Sequence, residues 1–142
     1  PLSYIGWGKT TQLGYGLGLA MGAKLDRPDK ICINVWGDAA IGFTGTDLET
    51  AAREGIPIIS ILLNKKGRAT EINSIPKAIA KYHATDITGN YCEMARSLGC
   101  YAERITEPGE IFPAIRRAIE KNNQGVPVLL EFMTQQETEM SK

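Results

Sequence analysis

The sequence predicts an α/β fold: a doubly wound, mainly parallel sheet with helices on both of its faces. Segments with strand character alternate with helical segments along the chain, which is typical of parallel sheets with right-handed crossovers. Residues 58–63 are almost wholly apolar, as expected of a strand that is covered on both faces. A chain of 142 residues without an internal repeat predicts a single domain over residues 1–142, with a polar tail from about residue 134.

The composition argues against several classes of partner. The formal net charge is zero, so no basic surface for nucleic acid or for an anionic membrane is indicated. No apolar run approaches the roughly 20 residues of a membrane span, and no secretory signal opens the chain. The cysteines, Cys32, Cys92 and Cys100, lack C-x-x-C spacing and predict reduced thiols in a cytoplasmic protein. We expect neither a nucleic-acid partner nor a membrane partner.

The first segment with helical character, residues 6–24, is rich in glycine. Each glycine inside a helix costs about 1 kcal/mol relative to alanine. We therefore expect this helix to approach a packed neighbour or a ligand closely, since glycine has no side chain to prevent it. The glycines concerned are Gly14, Gly16, Gly18 and Gly22.

A strand, a helix and a second strand follow one another between residues 31 and 67. The first strand, residues 31–35, is followed by the turn Gly37-Asp38-Ala39-Ala40, and the second, residues 58–63, by residues 64–67. Successive parallel strands end at the same edge of a sheet, and ligands bind beyond that edge. Asp38 and residues 64–67 are therefore predicted to lie close together, although they are far apart in sequence.

The helix between these strands carries its own boundary signals. Thr46 and Glu49 match the T-x-x-E capping box, which predicts that the helix begins there. Gly55 followed by Pro57 predicts its end.

The second half of the chain continues the alternation after an irregular segment, residues 65–86. A short helix from about residue 74 to 82 is predicted within it, and its place at the carboxyl edge suggests a lid or a subunit contact. His83, the only histidine, is predicted to be a surface residue rather than a catalytic one. The further elements are a helix over 91–98 ended by Gly99, a strand over 100–105, a helix from about residue 108 and a strand over 126–132.

The turn at residues 37–40 has the chemistry of a phosphate site. Its small residues permit close approach of a ligand, and free N–H groups near the start of a helix attract phosphate. A carboxylate beside a phosphate is explained if Mg²⁺ lies between them, because Mg²⁺ is usually bound by one or two carboxylates together with phosphate oxygens. G-D-A alone is a weak motif, and Asp38 capping the turn is the alternative interpretation.

Two motifs at the ends of successive predicted strands strengthen the phosphate interpretation: Gly37-Asp38-Ala39 and Leu63-Asn64-Lys65. Residues 47–57, D-L-E-T-A-A-R-E-G-I-P, and the glycine-rich residues 13–25 complete the pattern. With them, residues 8–130 resemble the C-terminal, diphosphate-binding domain of thiamine diphosphate enzymes of the acetolactate synthase and 2-oxo-acid decarboxylase type. In that family the corresponding motifs are G-D-G and N-N.

The resemblance implies thiamine diphosphate and Mg²⁺ as cofactors. Leu13 stands in the place of the large apolar residue that keeps the cofactor bent, and the carbonyl of Thr11 would accept from its amino group. Backbone N–H groups of Ala39 and Ala40 would hold the diphosphate, and Gly67 would offer a backbone oxygen to the metal. The implied cofactor-binding residues are Thr11, Leu13, Gly37, Asp38, Ala39, Ala40, Asn64 and Lys65, and the implied metal ligands are Asp38, Asn64 and Gly67.

Two residues depart from the family's motifs. Ala39 replaces the last glycine of G-D-G, which is of little consequence if its φ is negative. Lys65 stands where the second asparagine gives the metal a side-chain oxygen, and an ammonium has no lone pair to offer. Three outcomes are open: Asn64 shifts to take that role, Lys65 pairs with the diphosphate as a point charge, or the site is disabled.

The resemblance implies no catalytic residue in this chain. In the family, the glutamate that hydrogen-bonds the aminopyrimidine belongs to a separate pyrimidine-binding domain, usually of a neighbouring subunit. We therefore expect a pyrimidine-binding domain or subunit as partner, with this chain either one subunit of a split enzyme or a detached C-terminal domain. A homo-oligomer is also expected, formed through residues 6–21 or residues 65–82.

Three functions are weighed. The first is the thiamine diphosphate-binding half of an enzyme that decarboxylates or ligates 2-oxo acids. The second is a detached or degenerate, non-catalytic domain of the same fold that acts only in association, which Lys65 favours. The third is another phosphate or nucleotide binder on a doubly wound sheet. It ranks last because no G-x-G-x-x-G follows a strand and no Walker sequence is present.

Overall fold

A parallel sheet is the centre of the computed structural model, which describes residues 3–6, 12–68 and 74–136. Its strands are β1 Ile33–Gly37, β2 Ile59–Asn64, β3 Tyr101–Ile105 and β4 Val128–Met133. Their spatial order is β1-β2-β4-β3, so β2 and β4 are the inner pair. The predicted parallel α/β sheet is confirmed.

Helices lie on both faces of the sheet, as predicted. One apolar core contains Leu17, Leu48 and Ala95, and the core on the opposite face contains Ala114 and Ala118. None of the described helices is long and apolar enough to cross a membrane. The helices are α1 Tyr15–Asp26, α2 Asp38–Thr44, α3 Leu48–Arg53, α4 Pro76–Tyr82, α5 Tyr91–Ser97 and α6 Ile111–Asn123, with 3₁₀ turns at Gly45–Asp47 and Pro108–Glu110.

The register of β1 and β2 brings their carboxyl ends together. Gly37, the last residue of β1, pairs with Leu63, and Asn64 ends β2 one residue later. The residues that follow the two strands therefore leave the sheet side by side. This alignment is what places Asp38 next to the turn after β2.

The boundary predicted between β1 and its helix is wrong. The expected turn at residues 37–40 is the first turn of α2, which begins at Asp38 directly after β1. No capping box forms at Thr46: the 3₁₀ turn Gly45–Asp47 joins α2 to α3, and neither that turn nor α3 has a side-chain capping hydrogen bond.

The glycines of α1 fall into two groups. Gly14 has φ 86, and a Cβ at Gly16 would lie 2.5 Å from Oδ1 of Asn34 on β1. The close approach predicted for this helix is therefore present at its N-terminal turn. A Cβ at Gly18 or Gly22 would meet no atom of the described residues within 4 Å.

One face of β1 carries no covering helix among the described residues. Val35 is 59% exposed, and Ile33 is exposed with it, whereas the alternate residues Asn34 and Trp36 are buried. The first strand is thus buried on one face only.

The irregular segment contains the short helix predicted for it, α4. His83 follows that helix on the surface, with Nδ1 3.3 Å from the carboxylate of Asp86. This position agrees with the prediction that His83 is a surface residue.

Candidate functional site

The carboxylate of Asp38 joins the two strand ends. Asp38 is only 2% exposed, and its Oδ1 accepts the N–H of Ala39 at 2.9 Å. Its Oδ2 accepts two backbone N–H groups of the turn after β2, that of Lys65 at 3.1 Å and that of Gly67 at 3.0 Å. The prediction that Asp38 and residues 64–67 lie together is confirmed.

The turn after β2 adopts a tightly constrained backbone. Lys66 has φ 57, in the left-handed region that residues with a Cβ rarely adopt. Gly67 forms an antiparallel bridge with Asp86, and a Cβ at Gly67 would lie 3.1 Å from the carbonyl oxygen of Thr85. A side chain at Gly67 would therefore require the neighbouring segment to shift.

Asn64 faces the interior of the protein. Its side chain is buried, with Nδ2 donating to Oε1 of Glu131 at 2.7 Å and Oδ1 accepting the N–H of Lys66 at 2.9 Å. Both amide atoms thus have partners within the protein. Asn64 shares the face of β2 that carries the buried Leu62, since alternate residues of a strand point the same way.

Glu131 is a fully buried acid that the sequence reasoning missed. Arg104 donates to its Oε2 from Nε at 2.9 Å and to its Oε1 from Nη2 at 3.2 Å. Burial alone would raise the pKa of Glu131, but hydrogen bonds from Arg104, Asn64 and Cys92 outweigh it and hold that pKa below its ordinary value. A charged residue inside the otherwise apolar run 126–132 is the signal that could have indicated such a partner.

Tyr91 supports the same region from α5. Its hydroxyl donates to the backbone oxygen of Asp38 at 3.4 Å. Burial raises the pKa of Tyr91, and the nearby carboxylates of Asp38 and Glu131 raise it further. The neutral phenol is therefore the form present at pH 7, and it can act as this donor.

A cleft of about 190 Å³ opens beside Asp38. Asn34 is one of its lining residues, and its buried Nδ2 has no hydrogen-bond partner among the described residues. Other residues of its lining are Leu13, Gly37, Ala39, Ala40 and Lys65.

Lys65 is the one lysine of this lining. Its backbone N–H is engaged by Asp38, while its ammonium forms no ion pair or hydrogen bond with the residues that the structure describes. Ala39 lies within α2, so its φ is negative and its departure from glycine is accommodated. Thr11 lies outside the described residues.

The oxygen donors at the cleft suit a cation that is shared with phosphate. Asp38 retains lone pairs on Oδ1, and no donor among the described residues bonds to the carbonyl of Gly67. The described part of the chain contains no cluster of three histidine, cysteine or acidic side chains that could hold a metal by itself. Mg²⁺ commonly uses one or two protein oxygens, phosphate oxygens and water, and such a set fits these residues.

Comparison with known proteins gives a match over most of the chain. The family described as "Thiamine pyrophosphate enzyme, C-terminal TPP binding domain" matches residues 1–132. The chain is 29% identical over 136 residues to the mitochondrial acetolactate synthase catalytic subunit of Aspergillus candidus, covering 94% of this chain and 19% of that protein. It is 29% identical over 148 residues to the acetolactate synthase large subunit of Corynebacterium glutamicum, covering 99% of this chain and 23% of that protein.

A solved structure shares the fold. It is the thiamine diphosphate-dependent 4-hydroxybenzoylformate decarboxylase of Rhodococcus jostii RHA1, with a TM-score of 0.77 and 25% sequence identity. The match covers 89% of this chain and 24% of that one. This chain thus spans about a fifth of the length of the acetolactate synthases above and about a quarter of this decarboxylase.

Proposed function

This chain belongs to the thiamine pyrophosphate enzymes, as a C-terminal TPP-binding domain, and we propose that its cleft beside Asp38 binds the diphosphate of thiamine diphosphate together with Mg²⁺. The observation that carries the proposal is the carboxylate of Asp38, oriented by the N–H groups of Lys65 and Gly67 at 3.1 and 3.0 Å. Backbone donors thus fix the orientation of this carboxylate beside the cleft, which supports the proposal.

The proposed metal ligands are Asp38, through the remaining lone pairs of Oδ1, and the carbonyl of Gly67. Asn64, the third predicted ligand, would have to bind the cation while its Oδ1 also accepts the N–H of Lys66. Water can complete the coordination, because Mg²⁺ usually keeps several water ligands. The metal site thus rests mainly on Asp38 and Gly67.

The proposed diphosphate contacts come from the first turn of α2 and from Lys65. The N–H of Ala39 is engaged by Asp38 at 2.9 Å, so the N–H of Ala40 is the better placed donor of this turn. Lys65 lies on the lining of the same cleft, and its ammonium would pair with the diphosphate as a point charge. Lys65 would then share with the metal the neutralisation of the diphosphate charge.

The rest of the cofactor would lie against the apolar part of the cleft. Leu13 is half-buried in its lining and is the proposed contact for the rings of the cofactor. The role of the Thr11 carbonyl, implied by the resemblance, is retained as part of the same proposal.

The proposed activity of the whole protein is decarboxylation or carboligation of a 2-oxo acid. When bound, thiamine diphosphate supplies the electron sink for breaking or forming a carbon–carbon bond beside the oxo group. The residues of this chain bind and orient it, and a pyrimidine-binding domain or subunit supplies the acid that contacts its aminopyrimidine. A homo-oligomer and a cytoplasmic location belong to the same proposal.

The second candidate is a non-catalytic domain that acts only in association. Two observations favour it: Lys65 in place of a neutral metal ligand, and the exposed face of β1 at Ile33 and Val35. Equilibrium binding of thiamine diphosphate in the presence of Mg²⁺ separates the two candidates. We expect saturable binding that Asp38→Asn weakens at least tenfold, because the variant lacks the charge for the cation; absence of binding would support the second candidate.

A further inference from the structure

We propose that Glu131, whose negative charge is balanced by Arg104, positions the turn formed by residues 64–67. It acts through Asn64 and does not touch the ligand. The ligand in this inference, diphosphate with Mg²⁺, rests on the proposed function. The mechanism rests on the hydrogen bonds of Glu131 and Asn64. Glu131 binds Nδ2 of Asn64 at 2.7 Å, and Oδ1 of Asn64 accepts the N–H of Lys66 at 2.9 Å.

The first step is the orientation of the Asn64 amide. An ionised carboxylate can only accept hydrogen bonds, so Nδ2 of Asn64 must face Glu131. Oδ1 is then forced toward the backbone and receives the N–H of Lys66. Arg104 keeps Glu131 ionised by two hydrogen bonds, at 2.9 and 3.2 Å, which secures the acceptor-only state.

The second step is the shape of the turn. Lys66 has φ 57, which is unfavourable for a residue with a Cβ, and the hydrogen bond from its N–H to Asn64 favours this conformation. The turn at Lys66 aims the N–H groups on either side of it, those of Lys65 and Gly67, at Oδ2 of Asp38. Glu131 on β4 thereby sets the position of a carboxylate that follows β1.

The third step is a comparison that separates positioning from stability. A second ion pair, between a partly buried glutamate and an exposed arginine, lies on the opposite face of the sheet, where Arg117 Nη2 is 2.6 Å from Glu103 Oε2. Within the described residues, the side-chain hydrogen bonds of Glu103 are with Tyr101 and Arg117 and do not reach Asn64, Asp38 or residues 65–67. Glu103→Gln is therefore a matched control for Glu131→Gln.

Amide hydrogen exchange by NMR on the full, ligand-free chain tests the mechanism. In Glu131→Gln the amide facing Asn64 can donate as well as accept, so Asn64 is free to turn over. We expect protection of the Lys66 and Gly67 amides to fall about tenfold more than that of core amides such as Leu129. Glu103→Gln should leave the ratio unchanged; an equal loss at all amides in Glu131→Gln would overturn the inference.

Calorimetric titration with Mg²⁺ and inorganic diphosphate tests the consequence for binding. We expect the Kd to rise about tenfold in Glu131→Gln and to stay within twofold in Glu103→Gln, as the loss of one charged hydrogen bond implies. Arg104→Lys, which keeps the charge with fewer donors, should show a smaller change in the same direction. Unchanged Kd in Glu131→Gln would contradict the inference.

The two experiments distinguish failure of the proposed function from failure of the positioning role of Glu131. If the unaltered chain binds no diphosphate, the proposed function fails, and the exchange pattern alone decides whether Glu131 positions the turn. If it binds and neither the exchange pattern nor the Kd responds to Glu131→Gln, the positioning role fails while the proposed function stands.

Discussion

The N–H of Gly67 donates to Oδ2 of Asp38 at 3.0 Å, across 29 positions of the sequence. This bond joins the ends of β1 and β2, and the N–H of Lys65 makes a second bond to the same oxygen at 3.1 Å. The carboxylate is therefore oriented by backbone donors of the turn after β2.

Removal of the Asp38 carboxylate is expected to destabilise the fold as well as the site. In Asp38→Ala the N–H groups of Lys65 and Gly67 lose a charged acceptor in a buried position. We expect the free energy of unfolding to fall by about 2 to 3 kcal/mol, as is typical of hydrogen bonds to charged groups. Urea denaturation measures this, with the exposed Asp47→Ala as control; equal effects of the two substitutions would contradict it.

Substitution by alanine is expected to have opposite effects on stability at two glycines of α1. In Gly16→Ala the new Cβ would lie 2.5 Å from Oδ1 of Asn34, and we expect a loss of about 2 kcal/mol in stability. In Gly18→Ala the new Cβ meets no atom of the described residues within 4 Å, so the better helix propensity should stabilise the chain by about 1 kcal/mol. Thermal and urea unfolding of both variants test this; a stabilising Gly16→Ala would show that α1 and β1 are not in contact.

The ion pair between Glu103 and Arg117 predicts a pH dependence of stability. Hydrogen bonds from Arg117 lower the pKa of Glu103 despite its partial burial, and Tyr101 lowers it further. Because the folded pKa lies below the unfolded value of about 4.3, the stabilisation is complete above that pH and is lost as the pH falls through the folded pKa. It should not exceed about 1 kcal/mol, since the side chain of Arg117 is 43% exposed.

Urea unfolding of the unaltered chain and of Glu103→Gln between pH 7 and pH 2 measures this contribution. We expect the difference in free energy of unfolding to be largest at neutral pH and to vanish at the acidic end. A difference that persists unchanged at pH 2 would show that the carboxylate charge is not its source.

The thiols should react in a fixed order. Burial and the neighbouring Glu131 together raise the pKa of Cys92 to about 12, and burial raises the pKa of Cys100 to about 11. The thiolate is the reactive form, so both should resist alkylation of the folded chain at pH 8. Cys32, which is only partly buried, should be modified first, as peptide mass mapping after iodoacetamide can show; early labelling of Cys92 would contradict the burial of its helix.

Much of the site followed from the sequence because it depends on strand ends. Alternation of apolar segments located β1 and β2, and parallel topology then required Asp38 and residues 64–67 to meet at one edge. Strand periodicity could also have indicated that Asn64, sharing a face with Leu62, points into the protein. The start of α2 at Asp38 was missed because the capping pattern at Thr46 looked like the stronger boundary.

The sequence could indicate that Glu131 needs a partner, but not which residue supplies it. Glu131 and Arg104 meet only because β4 lies between β2 and β3, and local patterns do not specify that spatial order. The conformation of Lys66 was equally hidden, since lysine has no preference for a positive φ and adopts it here beside the amide of Asn64. Tertiary contacts of this kind determine side-chain pairing and backbone conformation where local sequence propensity does not.

Calorimetric titration with thiamine diphosphate, with and without Mg²⁺, on the unaltered chain and on Lys65→Asn is the most direct test of the central claim. We predict that the unaltered chain binds thiamine diphosphate in a Mg²⁺-dependent way. In Lys65→Asn the affinity should depend more steeply on Mg²⁺, because the substitution supplies an amide oxygen as a metal ligand and removes the ammonium charge. Binding by Lys65→Asn alone would show that Lys65 disables the site. No binding by either protein would contradict the claim that the cleft beside Asp38 holds the cofactor.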